Sequence, residues 1–177
     1  AGEYGESCSG CAPGMFRAGS DDDTTMCKNC PAGYHQDQEA GAACIPCIPG
    51  RAQGEDGAKI CNGCGLNEYA SSSNETRCII CPIGYATAAK SASSCQNCMA
   101  GQYAEAAGGS CIECLAGRYR RNDDAPDTCK KCQPNYYQPQ LAQHLCFKCL
   151  PGRWQSEEGR TECKDCATGT YREPSAT

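Results

Sequence analysis

Twenty cysteines fall in ten CxxC pairs, with first members Cys8, Cys27, Cys44, Cys61, Cys78, Cys95, Cys111, Cys129, Cys146 and Cys163, at steps of 16 to 19 residues along a chain of 177. So short a period marks a repeat architecture, in which each unit is too small to bury a core alone and leans on its neighbours. The pairs divide 1–177 into one continuous array of about ten 17-residue repeats: 8–26, 27–43, 44–60, 61–77, 78–94, 95–110, 111–128, 129–145, 146–162 and 163–177. Both ends read as cut within a repeat, since Ala1-Gly2-Glu3-Tyr4 matches Ala100-Gly101-Gln102-Tyr103 and Thr177 falls short of the next expected cysteine.

The period matters because little else is available to hold a fold. Leu, Ile, Val and Phe supply 14 of 177 residues, far below the roughly 20% of an ordinary globular chain. Crosslinks must therefore replace buried aliphatic area. Cysteine at this density persists as disulfide only in an oxidising setting, so the chain is expected to be extracellular, secreted or at the cell surface. The net charge is −5 with the basic residues scattered, which argues against a nucleic-acid partner. Asp21-Asp22-Asp23 and Asp123-Asp124 lack the alternating ligand spacing of a calcium loop and read as solvated turns. No apolar run is long enough for a membrane span.

Within each unit, the third residue after the second cysteine is Gly or Asn: Gly14, Gly33, Gly50, Asn67, Gly84, Gly101, Gly117, Asn135, Gly152 and Gly169. These residue types take a positive φ most readily, so a sharp left-handed turn is expected at each. Pro13, Pro31, Pro49, Pro82, Pro134 and Pro151 precede it with a fixed φ. An aromatic follows: Phe16, Tyr34, Tyr69, Tyr85, Tyr103, Tyr119, Tyr137, Trp154 or Tyr171, absent only after Cys47. In a chain this poor in aliphatics the ring is expected to pack inward on its own disulfide as a miniature core, rather than to form an exposed ladder for stacking partners. Polar turn-prone segments such as Ser71-Ser72-Ser73-Asn74 then lead to the next cysteine. The unit reads as a small irregular β-hairpin with little or no helix, and Ala86–Ala92 and Ala104–Ala107 are too short to persist as helical turns.

Two pairing schemes fit the spacing. Joining the second cysteine of one pair to the first of the next gives Cys11–Cys27, Cys30–Cys44, Cys47–Cys61, Cys64–Cys78, Cys81–Cys95, Cys98–Cys111, Cys114–Cys129, Cys132–Cys146 and Cys149–Cys163, leaving Cys8 and Cys166 without partners. Each such loop contributes about 3 kcal/mol of chain entropy. An interlocked scheme pairs first with first and second with second across two units, leaves none unpaired and implies alternating units. The simple loops are preferred because no alternation is evident, but spacing alone leaves both open.

The string Cys30-Pro31-Ala32-Gly33-Tyr34, running to Cys44-Ile45-Pro46-Cys47, resembles the ephrin-receptor-like cysteine-rich repeat and the first half of a tumour necrosis factor receptor module. In that module the cysteine before the Pro-x-Gly-Tyr element bonds the next one along, which the resemblance extends to all ten units. Receptors, protist surface coats and extracellular matrices all use such repeats. The monotonous period lacks the second half-module, and with it the basis for a cytokine-type site.

Zinc is the main chemical rival, since five four-cysteine sites would consume all twenty thiols. Catalysis finds no support: His35 and His144 lie far apart in sequence, and no nucleophilic triad or phosphate-binding loop is present. No cofactor and no enzymatic activity are expected. Asn74-Glu75-Thr76 is the sole N-glycosylation sequon, and Ser71 to Ser73, Ser91, Ser93 and Ser94 are O-glycan candidates. The expectation is a small disulfide-rich fold, an elongated tandem array of irregular β-hairpin units. It is expected to serve as an extracellular structural rod of a surface coat, appendage or filament, self-associating or continuing through further repeats, with glycans as additional partners. A receptor or adhesion stalk binding a protein ligand is the alternative, and the zinc array the second.

Overall fold

The computed structural model describes residues 9–20 and 26–172. Among them there is no helix, only nine antiparallel hairpins built from two-residue strands: β1 (Met15–Phe16) with β2 (Lys28–Asn29), β3 (Tyr34–His35) with β4 (Ile45–Pro46), β5 (Arg51–Ala52) with β6 (Asn62–Gly63), β7 (Glu68–Tyr69) with β8 (Ile79–Ile80), β9 (Tyr85–Ala86) with β10 (Gln96–Asn97), β11 (Gln102–Tyr103) with β12 (Ile112–Glu113), β13 (Arg118–Tyr119) with β14 (Lys130–Lys131), β15 (Tyr136–Tyr137) with β16 (Phe147–Lys148), and β17 (Arg153–Trp154) with β18 (Lys164–Asp165). The second strand of every hairpin is the xx of a CxxC pair, so the same dipeptide that links two cystines closes a sheet. Two compact units result, Ala1–Ile80 with Thr87–Cys95, and Cys81–Ala86 with Gln96–Thr177. No helix of the described residues is long and apolar enough to cross a membrane.

Each hairpin is closed by a cystine. Cys11 is bonded to Cys27, Cys30 to Cys44, Cys47 to Cys61, Cys64 to Cys78, Cys98 to Cys111, Cys114 to Cys129, Cys132 to Cys146 and Cys149 to Cys163, with Cα–Cα separations of 5.5 to 5.8 Å. Cys81 and Cys95 are also disulfide-bonded, in an array of nine tandem bridges. The bonds are those of the simple looped scheme and not of the interlocked one. Cys166 carries a free thiol, and Cys8 lies outside the described residues.

All ten turn positions take a positive φ, from 60° at Asn67 to 91° at Gly14. The reversal lets the turn carbonyl accept from the second cysteine of the following pair, as in Cys47 N to Gly33 O at 2.8 Å.

The same turn also fastens neighbouring hairpins together. Gly33 N donates to Gln53 O of the next hairpin at 2.7 Å, Gln36 N to Ala58 O at 3.2 Å, and Gly57 N back to Cys30 O at 2.7 Å. The set recurs along the chain, for example as Gly117 to Gln138, Gln138 to Arg160 and Gly159 to Cys132. Hairpins two apart meet as well: a Cβ placed on Gly33 would lie 2.3 Å from Asn74 O, and one on Gly117 2.0 Å from Gly159 O. Backbone approach this close excludes any side chain at those turns.

The core differs from the expected one. Among the described residues no aromatic ring is buried: Phe16, Tyr34, Tyr69, Tyr103, Tyr119 and Tyr137 are half-buried, and Tyr85, Tyr136, Trp154 and Tyr171 are exposed. All seven isoleucines are exposed as well. Inside are the second cysteines of the pairs and the sixth residue after each, where Gln36, Ala70, Ala104, Arg120, Gln138 and Gln155 are buried. The rings reach only part of the way in, while the loop's backbone carbonyls and N–H groups take polar side-chain partners inside.

Glutamine supplies those partners. Gln138 Nε2 donates to Leu145 O at 2.8 Å while its Oε1 accepts from Gln140 N at 3.0 Å, so one amide ties both sides of the loop. Gln36, Gln53 and Gln155 repeat the arrangement.

Candidate functional site

Among the described residues the two histidines, His35 and His144, lie in different hairpins, β3–β4 and β15–β16. His35 ends β3, opposite Ile45, and its Nδ1 lies 3.1 Å from Ile45 O and 3.2 Å from Cys61 Sγ. With Cys47 and Cys61 it forms the one group of potential metal ligands found among the described residues, ligand atoms within 4.8 Å of one another. Those two sulfurs are joined to each other, however, and thiolates, not disulfides, are the ligands of a four-sulfur zinc site. The same holds for the paired CxxC motifs along the chain, whose sulfurs are held in bridges. His144 is an exposed loop residue. Of the two acidic runs, Asp21 to Asp23 lie outside the described residues. Asp124 of the other run is engaged: its carboxylate accepts from Arg121 N at 2.8 Å and pairs with Lys130 Nζ. That lysine, followed by the backbone donor, holds the Asp124 carboxyl below the usual aspartate range.

Asn74 sits at the tip of the fourth hairpin with φ 65° and an exposed side chain. Its N–H donates to Cys47 O at 3.0 Å, so the backbone of the sequon is fixed while the amide faces outward. Ser71 to Ser73, Ser91, Ser93 and Ser94 are likewise exposed.

The second compact unit holds what sequence reasoning missed. Arg120 occupies the glutamine position of the seventh hairpin and is almost completely buried. Its guanidinium donates to five backbone carbonyls: Gln102 O at 2.7 Å, Ala125 O at 2.9 Å, Cys98 O and Met99 O at 3.3 Å, and Asp124 O at 3.5 Å. The reason lies in Pro126. Elsewhere the carbonyl of a second cysteine accepts from the N–H of a positive-φ loop residue in the following hairpin; in this register that residue is Ala125, which precedes Pro126 and does not take a positive φ, and the arginine side chain donates to the Cys98 carbonyl instead.

Between the seventh and eighth hairpins runs a cleft of about 230 Å³, lined by Tyr119, Arg121, Gln133, Tyr136 and Leu145 together with Cys146. Lys130 stands across the ladder from Tyr119, and Lys148 across from Tyr136. A second hollow, of about 680 Å³, lies beside Trp154, Tyr171 and the thiol of Cys166. Sequence gave one usable signal for the buried position: Gln36, Gln53, Gln138 and Gln155 all stand six residues after a second cysteine. No family model and no curated protein matches the chain.

Proposed function

We propose that this is a non-catalytic extracellular structural protein, a disulfide-stapled repeat array of a surface coat, appendage or filament, related in type to ephrin-receptor-like repeats. The oxidised cysteines fit an extracellular or secreted setting. The observation that carries the reading is the recurring interface: within each compact unit most hairpins bond the next by the same turn, loop and cysteine hydrogen bonds, with side chains substituting at Asn67 and Arg120. An array extended by nearest-neighbour contacts gains length without gaining an enclosed site. Exposure of every isoleucine supplies apolar surface for lateral association, as is usual where large apolar residues face water in groups. The Asn74 sequon is in this reading a glycan attachment point.

Sedimentation velocity and negative-stain imaging of the purified, oxidised protein test it. Concentration-dependent regular polymers are the expected result. A strictly monomeric protein across a hundredfold concentration range, retained instead by one cell-surface protein, would replace this reading with that of a receptor or adhesion stalk.

A further inference from the structure

Basic charge is scattered along the sequence but not across the hairpins. Of the twelve strand residues in the last three hairpins, six are cationic (Arg118, Lys130, Lys131, Lys148, Arg153 and Lys164) and five are aromatic. The first six hairpins place only Lys28 and Arg51 among their twenty-four strand residues. Folding therefore gathers in the second compact unit a cationic and aromatic surface that is invisible in the net charge of −5.

The cleft between the seventh and eighth hairpins is the most developed part of that surface. Tyr119 and Tyr136 contribute to its walls, half-buried and exposed respectively. The Arg121 guanidinium lies over the Tyr119 ring, 5.8 Å from its centroid. Lys130 and Lys148, both exposed, flank the cleft. Further along the chain, Lys164 stands 5.7 Å over the Trp154 ring. Rings held by the sheet and cations beside them suit a ligand that alternates apolar C–H faces with anionic groups. The negative π face takes the weakly positive C–H face of a sugar ring. The cations take its sulfates and release counterions as they do so.

The geometry points to a sulfated polysaccharide as the partner of this cleft, with Tyr119 and Tyr136 stacking a pyranose and Arg121 and Lys148 pairing with sulfate groups, while Lys130 stays paired with Asp124. A nucleic acid shares the charge and the stacking, but an oxidised cysteine array belongs to compartments where polysaccharide is the abundant polyanion. The inference rests on the extracellular setting and not on polymer formation: a monomeric protein that binds polysaccharide would overturn the structural-component reading and leave this one in place.

The test is titration of the oxidised chain with a heparin oligosaccharide at several salt concentrations. Arg121→Gln with Lys148→Gln should weaken binding on the order of tenfold at 0.1 M salt and lower the slope of log affinity against log salt by about two, one per cation removed. The charge-matched control Lys59→Gln with Lys90→Gln should stay within about twofold on the same arithmetic. Tyr119→Ala with Tyr136→Ala should weaken binding with the salt slope unchanged, separating stacking from charge. All of these side chains are at least partly exposed and none is a cystine, and an unchanged free-thiol count checks that the bridges have formed. The proposal is overturned by no heparin binding, by equal loss in the control pair, or by single-stranded DNA of equal charge binding as tightly.

Discussion

Arg120 shows how much one buried side chain does when there is no aliphatic core. A guanidinium surrounded by carbonyls is held by charge-assisted hydrogen bonds alone, and each carbonyl left unpaired on its removal costs about 1–3 kcal/mol. Arg120→Gln should recreate the loop staple of Gln138 but leave Cys98 O unpaired, lowering local stability by about 2 kcal/mol. Hydrogen exchange in the sixth and seventh hairpins reads that loss. Adding Pro126→Gly frees Ala125 to take the positive φ of the other loops and turn its N–H to Cys98 O, and should recover part of it; an additive double variant would show that the proline is not the reason for the arginine.

Asp124 is the residue whose titration has a structural consequence. Its carboxyl is held below the ordinary range by Lys130 and by Arg121 N, so its contribution is present above the unfolded-state value of about 3.9 and is lost as pH falls through the lower folded value. Exchange of the loop 121–130 should accelerate on acidification through that window, and Asp124→Asn should show the faster exchange already at pH 7.

At the scale of the hairpin, a turn glycine is constrained by its own φ and, where a hairpin stands two units further on, by that hairpin's backbone. Gly33, with φ 85°, has Asn74 O in the space of a Cβ, whereas a Cβ on Gly152, with φ 80°, meets nothing within 4 Å. Gly152→Ala should cost only the conformational penalty of about 1 kcal/mol. Gly33→Ala adds a clash with backbone and should also speed exchange in the fourth hairpin, two units away. Equal effects from the two substitutions would mean that the contact between hairpins two apart carries no stability.

One alternation stands in the sequence itself and is missed by reading the cysteine spacing alone. The residue after the first cysteine, the first of each hairpin's second strand, reads Lys28, Ile45, Asn62, Ile79, Gln96, Ile112, Lys130, Phe147 and Lys164. Polar and apolar residues take strict turns through nine hairpins.

For the molecule as a whole, oxidation in register is the condition on which everything else depends. Alkylation of the unreduced protein should label Cys166 and spare the eighteen bridged cysteines. A chelator should leave hydrogen exchange unchanged, and a dithiol reductant should collapse protection throughout. Charge is divided as unevenly as the strands: residues 1–95 hold eleven acidic and six basic residues, and 96–177 ten of each. Formal neutrality in the second part conceals a separation, with several acids in loops and the cations concentrated on strands.

The sequence by itself determined the repeat, the left-handed turns and the hairpin, because each is local: the spacing of cysteines and the φ preference of Gly or Asn act within a single unit. It also favoured the tandem bridges over the interlocked ones, since the cysteine spacing shows no alternation between odd and even units. Tertiary structure decided what lies inside. Whether Tyr119 or Arg120 is buried depends on which loop carbonyls lack a partner in the adjoining hairpin, a fact set by Pro126 and by contacts about twenty residues away. Packing between hairpins also decided which scattered lysines and tyrosines became a single surface, because pairing across a ladder brings together residues that the chain keeps apart.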